Sequence, residues 1–495
     1  MGIKHFFSWL KRNEDLKRVI SKTKPQNVDH LMIDMNGVIH EAAQKIFKYG
    51  KYAPLKANVI LPRRKRVQNQ NKKITKQMSK EEYNEAIEKV YECVKSIVHD
   101  LIKDMNPNKT IYLAVDGPAP KSKQNQQRQR RFKAARDGGG NASFDSVNIT
   151  AGTKFMENMC KHIENEKWTS DKNIKVITSG HLQPGEGEHK LVVWARKQLK
   201  QNIDWKEHTF CIVGADADLI LLGGTLECNN VFIMRESETK HSFHFIDIGM
   251  FKKLLPIDIE DLIVWSCFIG NDFLPPIPSL EIKESYPEIG ALDFFFEQGQ
   301  SLILNKELKL LNFSAIRKIL TKVVEREQSI MEARAQDGDR FENPLWKGDV
   351  KKYRKTFHET KLKSTDSQQL VLDYMKTVYW VYLYYTRGIP SWDWYFPHSY
   401  GLHADKFVKH MPVEYCAFKF PKSQPYHPHE QLLCVVPPTG KSVIPEYLHE
   451  AFDFIIGKST TFETDVIGKR QEWEATVIVD VITPHLKKTD YVDVV

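Results

Sequence analysis

The feature that most restricts how this chain folds is a rhythm in its first half, where short apolar runs alternate with helical patterns. The runs are Leu31–Met35, Ile111–Val115, Ile174–Thr178, Phe210–Gly214 and Val231–Met234. Runs of this length without polar alternation are what strands covered on both faces look like. The clearest helical pattern spans Ser79–Met105, with Tyr83, Ile87, Val90, Val94, Ile97, Val98 and Leu101 spaced three or four apart until Asn106-Pro107 stops it. Alternation of this kind predicts an α/β fold with a mostly parallel central sheet flanked by helices. Ligands of such folds bind at the carboxyl ends of the strands.

The second half reads differently. Residues 330–368 are polar and charged and are expected to separate the α/β part from a second domain. An aromatic-rich helix, Gln369–Tyr385, then leads into a Pro- and aromatic-rich irregular region, Gly388–Pro438, and strand-like pieces such as Ala475–Val481. The expected organisation is an α/β domain over 1–285, a helical, charged connector over 286–368, and a second, mixed helical and irregular domain over 369–495.

With 41% hydrophobic residues in 495, the chain can bury a sizeable core, which excludes a largely disordered protein. Its 72 Lys and Arg against 63 Asp and Glu leave a net charge of +9, which suits a polyanionic partner. The seven cysteines form no CxxC pair, so neither a zinc site nor a disulfide framework is indicated and a reducing compartment is expected. The opening MGIKHFFSWLKRNEDLKR is too charged for a signal peptide, and Asp373 and Lys376 interrupt the most apolar helix. The expectation is a soluble intracellular protein that does not engage membranes.

Acidic residues mark the ends of the apolar runs. Asp34 closes the first, Asp116 the second, and Asp216 and Asp218 come after a later one in GADADLILLG. Glu186 and Glu188 lie in PGEGEHK, and Asp272 lies in IGNDFLP. One such acid alone caps a helix or binds water. Seven in one crevice repel each other unless divalent cations neutralise them. All-oxygen ligation selects Mg²⁺, with Mn²⁺ as substitute, over zinc. Two such ions, about 3.5–4 Å apart, form a phosphodiester-cleaving arrangement. No GxxxxGK[ST] or GxGxxG loop occurs, which argues against a nucleoside-triphosphate enzyme.

Directly after Asp116 comes a basic helix, beginning near Pro120 and ending before Gly138. Lys123, Gln127, Arg130 and Arg131 fall at i, i+4, i+7 and i+8, one stripe about 100° wide. Three cations and an amide there make a phosphate pocket. Arg128 and Lys133 point elsewhere and are expected to track a nucleic-acid backbone.

These motifs resemble the XRN 5′→3′ exoribonucleases, which are similar in their nuclease core to flap endonucleases, a PIN-like fold. The resemblance runs through MGIKHFFSWL, DMNGVIH (34–40), AVDGPAPKSKQNQQRQRRF (114–132), FDSVNITAGTKFM (144–156), PGEGEHK (184–190), GADADLILLG (214–223) and FIGNDFLP (268–275). It continues in RGIPSWDWYFPHSYG (387–401) and HEQLLCVVP (429–437). It implies processive, Mg²⁺-dependent release of nucleoside 5′-monophosphates from single-stranded RNA carrying a 5′-monophosphate. The family's metal acids map onto Asp34, Asp116, Glu186, Glu188, Asp216, Asp218 and Asp272, and its phosphate pocket onto Lys123, Gln127, Arg130 and Arg131. Its base-stacking histidine maps onto His40, with Trp392 or Trp394 as aromatic partner. The chain resembles compact, core-only forms such as those of large DNA viruses. A monomer is expected, supplied by a decapping enzyme, in the cytoplasm, in the nucleus if PRRKRV (62–67) is an import signal, or in a virion. The basic segment 62–80 is left open as an RNA-contacting loop, that signal or a solvated insertion. Two rivals remain: a flap-type DNA nuclease, and an inactive RNA-binding protein on the same fold.

Overall fold

The computed structural model describes residues 2–53, 78–137, 144–237, 242–282, 290–297, 299–338, 340–364, 366–413, 418–459 and 461–482. Of the basic segment 62–80, only 78–80 fall among them. Ser79 there closes a capping box with Glu82 and starts the helix Lys80–Met105.

Seven strands form the central sheet: β1 (Ile20–Ser21), β2 (His30–Asp34), β3 (Thr110–Ala114), β4 (Lys175–Ser179), β5 (Phe210–Val213), β6 (Val231–Glu236) and β7 (Phe243–Asp247). Their order is β1-β7-β6-β5-β2-β3-β4. From β6 to β4 every pairing is parallel, and β7 and β1 add an antiparallel edge. Side chains alternate between two cores. Met32, Tyr112, Phe210 and Ile212 enter one, while Leu31, Ile33, Ile111, Leu113 and Cys211 enter the other. This double covering is why the inner strands read as unbroken apolar runs. The edge was not legible in the same way: β7 carries His244 and Asp247 among its apolar residues, and β1 has two residues.

The chain builds β2, β3 and β4 in one direction, then returns to the other side of β2 for β5 and β6. The reversal places a crevice at the carboxyl ends of β2 and β5, where ligands of open α/β sheets bind. Asp34 and Asp216 lie at that crevice.

The expected boundaries at 285 and 368 do not divide the packing. One continuous core runs from Ile212 and Ile233 through Leu262, Trp265 and Leu320 to Tyr374, Trp380 and Phe407. The charged connector is itself folded. Helix Phe313–Ala335 extends into it, Val350–Phe357 comes next, and Met331, Tyr353 and Phe357 form a small core of their own. The aromatic helix is Ser367–Thr386, and the irregular region contains helices Ala404–His410 and Pro428–Val435. Strands Phe462–Asp465 and Thr476–Val479 pair antiparallel near the end. No helix among the described residues is long and apolar enough to cross a membrane.

Candidate active site

Each acid is set by a specific backbone event. Asp34 ends β2 and caps the next helix, its carboxylate accepting from Asn36 N–H at 3.3 Å. Asp116 lies just beyond β3, where Oδ2 accepts from Asn36 Nδ2 at 2.8 Å and Oδ1 from Gly187 N–H at 2.7 Å. Glu186 and Glu188 flank Gly187 at the start of helix Gly187–Gln201. A Cβ on Gly187 would stand 2.6 Å from Asp34 Oδ1, so the glycine inside the ExE pair lets two acidic segments touch. Asp218 begins helix Asp218–Gly224, and Asp272 comes just after helix Ile259–Ile269. Gly2 joins them, its N–H donating to Asp272 Oδ1 at 3.0 Å. At φ 70° it leaves no room for a Cβ, which would fall 1.3 Å from Asp218 Oδ1.

The electrostatics show that these acids share one field. Burial, then the charges of Asp116, Asp216 and Glu186, push the Asp34 carboxyl well up. Burial and Asp218 do the same to Glu188, and burial and Asp272 push Asp218 up to about 7. Against this crowd stands the Lys123 ammonium. Lys123 Nζ lies 2.9 Å from Glu186 Oε1 and 2.8 Å from Asp272 Oδ2, with all three side chains nearly fully buried. Burial raises Asp272, but Lys123, the chain's terminal amine and the Gly2 N–H together outweigh it and hold that carboxyl below its usual value. Helical spacing puts Lys123 on the phosphate stripe; the structure turns its side chain into the acids, because its first-turn position faces them and a buried ammonium needs carboxylates.

Among the described residues no three His, Cys, Asp or Glu side chains already stand together as a metal-binding group. The donor chemistry nevertheless fits a hard divalent cation. Glu188 Oε2 and Asp218 Oδ1 are buried without a hydrogen-bond partner, on carboxyls whose charge is already disfavoured. Oxygens in that state are what Mg²⁺ or Mn²⁺ satisfies. The far side of the site is closed by Tyr384, whose hydroxyl donates to Glu186 Oε2 at 2.6 Å and whose ring lies 3.7 Å from that of His189. Sequence reasoning missed Tyr384 and Gly2. Neither carries a local signal, since their partners lie far away in the chain.

The basic helix is Lys121–Arg136, beginning immediately after Pro120. On its stripe, Gln127 Oε1 and Arg131 Nη1 are buried with no hydrogen-bond partner. Burial and neighbouring Arg130 lower the Arg131 guanidinium to about 9. His40 belongs to this group: burial, then Arg130 and Arg131, lower its imidazole to about 4. His40 is therefore a neutral ring at pH 7, suited to stacking.

Arg128 and Lys133 do not track a backbone. Arg128 is 1% exposed and donates to Asp480 O, Cys434 O and Ser459 Oγ, each at 2.9 Å. Lys133 pairs with Asp137 at 2.5 Å. The helical arithmetic correctly turned both away from the stripe but gave no hint that the C-terminal half lies there.

The two tryptophans separate cleanly. Trp394 is bound into the core, its Nε1 donating to Thr377 Oγ1 at 3.2 Å, its ring under Lys376 Nζ at 4.2 Å and edge-on to Phe420. Trp392 sits beside the start of the basic helix, its carbonyl accepting from Lys121 N–H at 2.7 Å. Its ring is half-buried and stacks on no other ring among the described residues.

With this geometry in place, comparison with known proteins is decisive. Residues 1–237 match the XRN 5′-3′ exonuclease N-terminus, and 256–361 and 345–486 match the Xrn1 helical domain. The chain belongs to the XRN exoribonuclease family. It is 25% identical to human 5′-3′ exoribonuclease 1, over 97% of this chain and 33% of that protein. It is 23% identical to 5′-3′ exoribonuclease 1 of Saccharomyces cerevisiae, over 97% of this chain and 42% of the relative. With the 5′-3′ exoribonuclease 2 homolog of Drosophila melanogaster the identity is 24%, over 97% and 69%. The XRN chain thus spans between a third and a half of the length of the first two relatives. Among solved structures it is similar to the catalytic core of Rad2 in complex with DNA substrate, at 14% identity over 92% of this chain and 99% of that one, with a TM-score of 0.37.

Proposed function

We propose that this protein is a 5′→3′ exoribonuclease that removes nucleoside 5′-monophosphates one at a time from RNA bearing a 5′-monophosphate. The observation that carries the reading is a juxtaposition. A stripe whose Arg131 guanidinium keeps a buried, unpartnered N–H, with the buried Gln127 amide beside it, lies on the helix that directly succeeds Asp116.

Arg130 and Arg131 grip the terminal phosphate through charge-assisted hydrogen bonds, with Gln127 beside them. His40, neutral, and Trp392 hold the first base between them, a contact worth about 1–3 kcal/mol per base. Asp34, Asp116, Glu186, Glu188, Asp216, Asp218 and Asp272 would hold Mg²⁺ or Mn²⁺. Bound there, the ions supply an activated water and charge stabilisation at the leaving oxygen. Tyr384 and Asn36 orient Glu186 and Asp116 by their hydrogen bonds. A stripe matched to one terminal phosphate disfavours a cap or triphosphate, because the added phosphates find no partners there. Release of the mononucleotide lets the strand advance by one. In this reading the protein works as a monomer on RNA that a decapping reaction has already opened.

The test is digestion of 5′-monophosphate, 5′-triphosphate and capped RNA, beside matching DNA, with Mg²⁺ and with chelator. Mononucleotide release from the 5′-monophosphate RNA alone, abolished by chelation, is expected. Cleavage independent of the 5′ group, or preference for branched DNA, overturns the reading.

A further inference from the structure

Away from the acids, a cavity of about 350 Å³ lies where the loop Pro275–Glu281, helices Phe313–Ala335 and Val350–Phe357, and residues 465–476 meet. None of the seven acids or the stripe residues lines it. Its volume lies within the range of about 300–1,000 Å³ occupied by small-ligand sites.

Two kinds of group dominate its wall. One is aromatic: Trp346, Tyr353, Phe357, Tyr400 and Phe341. The other is charged, with Arg334, Arg340, Lys361 and Lys469 set among Glu281, Asp337, Glu342 and Asp465, and most of the cations are already committed. Arg340 pairs with Glu281 at 2.8 and 3.1 Å, and Lys361 with Asp465 at 2.5 Å. Arg334 donates to the carbonyls of Pro278 and Ser279 at 2.5 and 2.9 Å. Lys469 is the exception. It lines the cavity, yet its ammonium makes no hydrogen bond or ion pair among the described residues. Burial lowers it to about 8, and nearby Lys4 adds to the effect against Glu281, Glu474 and Asp465. A half-buried ammonium without a carboxylate of its own is free to take an anion that enters the cavity. The acids closest to it, Glu281 and Asp465, are held by other cations.

We propose that this cavity binds a nucleoside 5′-monophosphate, with its phosphate on Lys469 and its base against the aromatic wall. Rings beside one uncommitted cation suit an aromatic anion better than inorganic phosphate, which uses no ring, or an acidic peptide, which has no planar group. The exoribonuclease reading makes this ligand the reaction's own product. The site itself does not depend on that reading.

The experiment is calorimetric titration of the full chain with adenosine 5′-monophosphate, adenosine and inorganic phosphate. It is done in an Arg131→Ala background, so that binding on the stripe does not contribute. The mononucleotide should bind, and both fragments should bind at least tenfold more weakly. Adding Lys469→Met should weaken mononucleotide binding tenfold or more, and Lys469→Arg should retain it. In the otherwise native chain, Lys469→Met should leave RNA hydrolysis in the absence of added nucleotide unchanged. If Lys469→Met does not fold, photolabelling with 8-azidoadenosine 5′-monophosphate decides. Label on peptides containing Trp346, Tyr353 or Tyr400 upholds the site. Equal affinity in folded Lys469→Met, or label confined to peptides around His40 and Arg131, overturns it. A chain inactive on RNA that still shows Lys469-dependent binding would sink the nuclease reading alone.

Discussion

Two arginines on different faces of the basic helix Lys121–Arg136, Arg131 and Arg128, end in opposite states. On the front, Gln127 Oε1 and Arg131 Nη1 are buried and lack partners. On the back, Arg128 spends its guanidinium on two carbonyls and a hydroxyl from the C-terminal half. An arginine that is fully satisfied holds the fold; one that is enclosed and unsatisfied waits for a ligand. Spacing on a helix distinguishes the two faces, but only the partners tell which face does which.

If that contrast is real, mutations on the two faces should fail in different ways. The largest effect belongs to the crevice the front faces. Asp216→Ala combined with Asp218→Ala should abolish hydrolysis, by about a thousandfold or more, while circular dichroism and melting stay native-like. A folded double variant with near-normal turnover would break the metal-site assignment.

Next in size is Arg128→Ala. It strands buried carbonyls and removes three charge-assisted bonds, so it should cost about 3–5 kcal/mol of stability in denaturant unfolding. Activity per folded molecule should not change. A selective loss on 5′-monophosphate RNA, with normal stability, would erase the distinction between the faces. Arg131→Ala is the mirror image: activity on 5′-monophosphate RNA should fall roughly ten- to a hundredfold, with 5′-hydroxyl RNA barely affected and stability retained. Single-turnover assays on the two RNAs measure this.

His40→Ala should slow both RNAs by about tenfold without altering end preference. Because the His40 imidazole is lowered to about 4, this histidine should contribute no inflection to the wild-type rate between pH 6 and 8. A further effect concerns stability of the metal-free chain. Asp218 is raised from 3.8 to about 7, so between those values the folded state binds more protons than the unfolded one. Stability should therefore fall as pH rises from about 4 to about 7. Asp218→Asn should flatten that slope in pH-dependent melting.

Much of the fold and the site is readable from residue order alone. Inner strands announce themselves as apolar runs because both faces are covered, and Asp34, Asp116 and Asp216 are placed by the strand ends that precede them. The stripe comes from helical geometry. What stayed hidden depends on contacts across long stretches of chain. Lys123 meets Asp272 across 149 positions, and Tyr384 meets Glu186 across 198. Trp392 and Trp394 are two residues apart with equal local claims, and only the packing of Thr377, Lys376 and Phe420 around the second separates them. The core crosses the expected domain boundaries for a related reason: polarity marks exposure, and an exposed segment can still cross a shared core.

The pinning of Arg128 also bears on how the molecule comes into being. Its partners Cys434 and Asp480 lie 306 and 352 residues further along. Chains emerge from the ribosome N-terminus first, and their early parts fold as they appear. The acids and the stripe are therefore all translated before the supports that seat the helix between them. A nascent chain that stops short of Cys434 carries the seven acids and the stripe but lacks the supports that seat the helix, so its alignment waits until residues 434–480 have been made.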